Sequence, residues 1–262
     1  MNEKAYYESV NTKNELKLRE LQKELPPFCR EFFIGMKASV SSRTLLAYAY
    51  DLGIFFDFIH QNNPICAKKP VNEFTIDLLD HISPMDIEEY LDYLRVYEKD
   101  GVAHTNDERG ISRKLASLRS FYNYYFCKEM ITKNPAQLVR MPKKHEKTIT
   151  RLDVDEVAML LDEVESGEKL TERQQKFHEQ TKCRDLAIMT LLLGTGIRVS
   201  ECVGLDITDV DFRNNGIKVH RKGGAEVVVY FGDEVRTALL NYLEERNTIE
   251  AVEGSTNALF LS

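Results

Sequence analysis

Residues 184–231 read RDLAIMTLLLGTGIRVSECVGLDITDVDFRNNGIKVHRKGGAEVVVYF, and the order of signals in this stretch fixes the plan of the C-terminal half. Residues 186–193 are apolar on nearly every side, the pattern of a fully buried helix. Gly194-Thr195-Gly196 stops that helix and turns the chain, because glycine accepts the left-handed backbone that closes a helix end. A short amphipathic helix is predicted over 198–205, with Arg198 at its start. Three strand-like runs follow, over 207–212, 216–221 and 225–231, the last with three consecutive valines. Asn214-Asn215-Gly216 and Lys222-Gly223-Gly224 supply the turns between them, and helix resumes over 236–246.

Upstream the chain reads as helices. Residues 1–25, balanced in charge and anchored by Leu16, Leu18, Leu21 and Leu25, form a helix or arm that Pro26 and Pro27 end. Ser41 or Ser42 caps a second helix whose apolar set Leu45, Tyr48, Leu52, Phe55, Phe56 and Ile59 recurs at helical spacing. Ser83 and Pro84 open a third, running through Ile87, Tyr90, Leu91, Leu94 and Tyr97 until Asp100-Gly101. A fourth, from Arg109, buries Ile111, Leu115, Leu118, Tyr122, Tyr125 and Phe126. Four such stripes predict a small bundle, with 1–25 as an N-terminal arm or helix and 26–140 as a helical domain. The basic, proline-broken segment LVRMPKKHEKTIT then reads as an interdomain linker, placed at 141–151, and a second domain occupies 152–262. That domain opens with an acidic amphipathic helix over 153–165. The polar stretch 168–182 fits either a further helix or an exposed insertion.

Composition bounds the function. With 262 residues, 43% apolar and 29% charged, the chain has material for two folded domains. The opening MNEKAYYESV is not a secretory signal and no run reaches the roughly 18 apolar residues of a membrane span, so a cytoplasmic protein with no membrane partner is expected. Five cysteines, none two residues apart, give neither a disulfide framework nor zinc-ligand spacing. The net charge of −7 hides a segregation: residues 109–151 carry eleven basic side chains against two acidic ones, whereas 152–262 carry twelve against twenty-one. A basic strip beside an acidic body suits a polyanion held along one face. Arg109, Arg113, Lys114, Arg119, Arg140, Lys143, Lys144 and Lys147 are the candidate DNA-binding residues.

The pattern G-T-G-I-R-V-S-E at 194–201, the Lys222-Gly223 turn 24 residues after Arg198, and the upstream stretches SSRTLLAYAYDLGIFFDFI, SPMDIEEYLDYL and ISRKLASLRSFYNYYFCKEMITKNPAQLVRMPK together resemble the tyrosine site-specific recombinases of the phage integrase family, its Xer-type members above all. The likeness runs from about Leu25 to the end. It implies a mainly α fold with a small three-stranded antiparallel sheet: an N-terminal helical, SAM-like core-binding bundle followed by part of the catalytic domain. It implies site-specific DNA recombination through a 3′-phosphotyrosyl intermediate, with double-stranded DNA as partner, a homotetramer on two DNA sites, and no metal or other cofactor.

Carried over by residue, the resemblance makes Arg198 the first catalytic arginine and Lys222 the catalytic lysine. The chemistry agrees with both residue types. Charge builds on the non-bridging oxygens of a phosphodiester under attack, and a guanidinium can meet two of them at once. A lysine on a hairpin tip can protonate the leaving 5′ oxygen. Glu201, one turn beyond Arg198, would orient its guanidinium. The family completes its site with an H-x-x-R motif and a late tyrosine; only Tyr230 and Tyr242 follow Arg198 here, and neither lies in that context. The chain is therefore expected to be the first part of a longer recombinase, or alternatively an inactive DNA-binding fragment that inhibits a full-length relative.

Overall fold

A computed structural model describes residues 3–64, 66–99, 101–143, 145, 150–221 and 225–261, with side chains from Ser9 onward. The chain divides into two compact units, residues 9–148 and residues 149–262, the residues before Ser9 grouping with the latter. As the sequence implies, it is mainly helical with a three-stranded antiparallel sheet. Among the described residues no helix is long and apolar enough to cross a membrane.

The first unit is built on α1 (Glu3–Leu21) from Ser9 onward, α2 (Cys29–Met36), α3 (Ser42–Asn62), α4 (Leu78–His81), α5 (Pro84–Tyr93), α6 (Glu108–Cys127) and α7 (Pro135–Leu138). Side chains set the helix starts. Ser41 accepts the Thr44 N–H at 3.3 Å, and Ser83 and Asp86 cap α5 reciprocally behind Pro84. Asp107 accepts the Gly110 N–H at 2.8 Å to open α6. The core between α2, α3 and α6 is aromatic: Phe121 meets Phe32, Phe56 and Tyr125 edge-on, with centroids 5.1–6.0 Å apart. Gly35 lets α2 approach α6, since a Cβ there would lie 2.4 Å from the Tyr124 ring.

Two expectations for this unit need correction. The third helix does not run to Tyr97: α5 ends at Tyr93, and the chain turns into a hairpin of β1 (Val96–Lys99) and β2 (Val102–Thr105). Asn106 secures that exit by donating to the Leu94 carbonyl at 2.7 Å. Asp100, expected to close the helix, lies outside the described residues. On α6 the expected core position Phe126 is 45% exposed, and Phe121 takes the central place.

The second unit holds α8 (Val154–Ser166), α9 (Glu172–Thr195), α10 (Val199–Val203), β3 (Val210–Asp211), β4 (Gly216–His220), β5 (Glu226–Tyr230) and α11 (Asp233–Arg246). The sheet order is β3-β4-β5, with Ile217 opposite Val229 and Val219 opposite Val227. Ile217 and Val219 are buried, with α10 packed on β4, and share one core with residues of α9 and α11. The stretch 168–182, left open by the sequence, supplies the first turns of α9, started at Thr171 by a bond to the Gln174 side chain. Two predictions fail in detail. Only Ala187, Thr190 and Leu191 of the apolar run 186–193 are buried, and Leu193 is exposed, so that helix has one packed face. Residues 207–209 form a 3-10 turn, leaving β3 only two residues.

Phe121→Ala should lower the stability of the helical unit by about 3–5 kcal/mol, read as a lower denaturant midpoint in far-ultraviolet circular dichroism. An unchanged midpoint would show that the aromatic cluster is not what holds α2, α3 and α6 together.

Candidate nucleic-acid interface

Arg198 is placed by the end of α9. Gly196 adopts the left-handed conformation at φ 66° and returns its N–H to the Leu192 carbonyl, while the Thr195 hydroxyl donates to Leu191. Ile197, buried, pins the chain, and Arg198 leaves it in extended backbone as the cap of α10. Cys202 and Leu205 anchor α10 from below. The Arg198 side chain is consequently 71% exposed, while that of Glu201, one turn on, is 6% exposed. Glu201 Oε2 accepts the Arg198 backbone N–H at 2.9 Å and Oε1 accepts guanidinium Nη1 at 2.7 Å. The backbone N–H most of all, then the side-chain bond and the charges of Arg198 and Arg221, hold the Glu201 carboxyl below its usual range despite burial. Glu201 thus takes the N–H of the cap residue that precedes α10, and the Arg198 guanidinium stands exposed beside it.

Lys222 lies outside the described residues, as do Gly223 and Gly224. The hairpin flanking them is closed by Arg221 N–H on the Ala225 carbonyl at 2.8 Å. Of the two tyrosines after Arg198, Tyr230 sits exposed on β5, and Tyr242 is buried in α11 with its hydroxyl oxygen accepting the Leu261 N–H at 2.9 Å. Among the described residues neither is bonded to Arg198.

The basic residues of the first unit fall into distinct settings. Arg109, Arg140 and Lys143 are exposed. Arg119 reaches inward, donating to the carbonyls of Ala136 and Val139 at 3.0 and 2.6 Å, and so ties α6 to α7. Lys114 is buried and donates to Asn106 Oδ1 at 2.6 Å; burial foremost pulls its amine below the usual lysine range. Arg113 forms two 2.6 Å bonds to the buried carboxylate of Asp51 yet keeps half of its side chain in solvent. Lys144 and Lys147 lie outside the described residues. Asp51, Ser117 and Asn106 were not singled out from the sequence; the one available sign was a lone carboxylate, Asp51, inside the apolar run YAYDLGIFF.

Comparison with known proteins agrees with this architecture. Residues 150–262 match the model of the phage integrase family. The tyrosine recombinase XerC of Leptospira interrogans is 31% identical over 215 residues, covering 82% of this chain and 60% of the relative. XerC of Caldanaerobacter subterraneus is 32% identical over 247 residues, covering 90% and 63%. XerS of Streptococcus uberis is 30% identical over 276 residues, covering 94% and 75%. Among solved structures, the Tn1549 transposon integrase in complex with circular intermediate DNA superposes with TM-score 0.59 at 19% identity, over 87% of this chain and 68% of that one. The XerH recombinase in a post-cleavage complex on palindromic difH substrate gives TM-score 0.59 at 16% identity, over 85% and 57%.

The fold is thus that of the integrase class of proteins. With XerS matched over three quarters of its length, the chain belongs to the tyrosine recombinase family. It spans 60% of the length of the Leptospira relatives.

A carboxyl depressed on folding contributes stability that is complete above the ordinary glutamate value of about 4.3 and is lost as pH falls through its lower folded value. Acidification through and below pH ~4 should therefore weaken the second unit. Glu201→Gln should remove that part of the pH dependence in urea unfolding; an unaltered profile would show that the pair with Arg198 does not persist in solution.

Proposed function

We propose that this chain grips double-stranded DNA and contributes to site-specific strand cleavage and rejoining, with Arg198 as the clamp on the scissile phosphate. The observation that carries the reading is the Arg198–Glu201 pair: a guanidinium presented to solvent and held from beneath by a nearly buried carboxylate. A clamp fixed before the substrate arrives needs no reorganisation when charge builds on the phosphate. XerC and XerS relatives are named as recombinases, and both fold neighbours were solved with DNA.

In the full reaction a tyrosine oxygen bonds to phosphorus as the bond to the 5′ oxygen breaks, and Lys222 supplies the proton that the 5′ oxygen takes. The 3′-phosphotyrosyl link keeps the bond energy until a partner strand's 5′ hydroxyl attacks phosphorus and releases the tyrosine. Four protomers on two DNA sites would exchange strands in this way, without metal or other cofactor. No tyrosine of this chain is assigned as nucleophile. Tyr242 is buried with its hydroxyl engaged, and Tyr230 stands on a strand without a general base paired to it among the described residues. That favours, for these 262 residues alone, DNA binding without cleavage.

Duplex affinity should fall about a hundredfold or more between roughly 50 and 200 mM salt, and Arg198→Ala should reduce the salt slope by about 0.9, one phosphate contact. Salt-independent binding would defeat the DNA reading. On a nicked suicide substrate the chain alone should form no covalent adduct; an adduct abolished by Tyr230→Phe would overturn the view that this chain holds no nucleophile.

A further inference from the structure

Asp51 is a carboxylate on the packed side of α3, and its side chain is 2% exposed. A charge in that position is costly unless donors surround it. Oδ1 accepts Arg113 Nη2 at 2.6 Å, and Oδ2 accepts both Arg113 Nη1 and the Ser117 hydroxyl, each at 2.6 Å. Two parallel bonds fix the plane of the guanidinium as well as its position. Ser117 stands one turn beyond Arg113 on α6, so the same helix supplies the cation and the extra donor.

Burial of both partners would mark a pin and nothing more. Arg246 shows what such a pin looks like: it is buried, and its guanidinium donates to the carbonyls of Thr256, Ala258 and Leu259. Arg113 differs. Its side chain is 51% exposed, and among the described residues its remaining N–H groups meet no acceptor. The outer stripe of α6 on which it lies runs Arg109, Arg113, Ala116, Ser120 and Asn123, exposed throughout except at half-buried Ser120, and carries no carboxylate. Arginine, serine and asparagine are residue types that meet DNA phosphates, and an acidic side chain would repel them.

We infer that Asp51 is a positioning residue for DNA, locking Arg113 so that its outward N–H groups meet a backbone phosphate of the duplex. The inference rests on the DNA reading above. A free arginine must be ordered on binding, at an entropic cost that a preset one avoids. Asp51 offsets the charge of Arg113, so the net positive charge of this stripe comes from Arg109, and the contribution of Asp51 is geometric.

That distinction gives the test its sign. By charge alone, Asp51→Asn removes a negative group beside the DNA and should tighten binding. By positioning, it should weaken binding about two- to tenfold. Fluorescence anisotropy of a labelled mixed-sequence duplex with the purified chain reads the difference, with thermal unfolding as the check on folding. The expected result is weaker binding by Asp51→Asn in the wild-type background, with the salt slope reduced by about one phosphate contact and the melting temperature little changed, and no weakening by it in an Arg113→Gln background; a merely structural role would move the melting temperature and leave the slope alone. Equal or tighter binding by a folded Asp51→Asn variant, or the same loss in both backgrounds, would overturn the inference. Should Asp51→Asn fail to fold, Ser117→Ala, which keeps both charges, should weaken binding to a smaller degree and only when Arg113 is present; unchanged affinity there would overturn it equally. A wild-type chain that does not bind the duplex would remove the DNA reading itself, and this inference with it.

Discussion

A carboxylate withdrawn from water costs several kcal/mol unless a cation and further donors meet it, and each unit of this chain holds such a group. In the first, Asp51 draws Arg113 and Ser117 of α6 onto α3. In the second, Glu201 takes the backbone N–H and the guanidinium of Arg198. The outcome is the same in both: a buried anion beneath and a guanidinium at the surface, more than half exposed and restricted in orientation. An exposed arginine held only by solvent would sample many rotamers, and its phosphate contact would carry the full ordering cost.

The helices around Asp51 are held by apolar packing, since the ion pair by itself contributes little to net stability. Phe32, Phe55, Phe56, Phe121 and Tyr125 are fully buried, and their edge-on contacts fix how α2, α3 and α6 meet. This cluster makes the bidentate geometry at Asp51 possible, because two 2.6 Å bonds tolerate little sliding of one helix on the other. Backbone groups outside the helices are met as closely: Asp80 accepts the N–H groups of Thr132 and Lys133, and although burial opposes it, these bonds bring its carboxyl below the usual range.

Helix starts and stops were the most legible features, because caps are local chemistry. Ser41, Ser83-Pro84 and Gly196 each act where the sequence places them. The hairpin over 96–105 was not legible. Tyr93 and Tyr97 continue a helical spacing, while most residues of β1 and β2 are exposed, so no alternation of polar and apolar residues announces a strand. Phe121 and Phe126 were exchanged for a related reason: a helix rich in aromatics offers several apolar stripes, and only the neighbours α2 and α3 select which one is buried. The run 186–193 misled through composition, since uniform apolarity says nothing about how many sides of a helix find a partner.

The two arginine–carboxylate pairs mark the limit of what spacing alone conveys. Arg198 and Glu201 are three residues apart at the start of one short helix, where adjacency follows from helix geometry, so the spacing in the chain already implies the pairing. Arg113 and Asp51 are separated by 62 residues. Their meeting depends on how α3 crosses α6, which depends in turn on a cluster of rings whose membership the sequence leaves partly ambiguous. A single polar residue in an apolar helical stripe is the sign that such a pairing must exist, because Asp51 could not be buried there without a partner. That sign locates the carboxylate and leaves its cation undetermined: Arg109, Arg113, Lys114 and Arg119 all lie on α6, and only packing singles out Arg113.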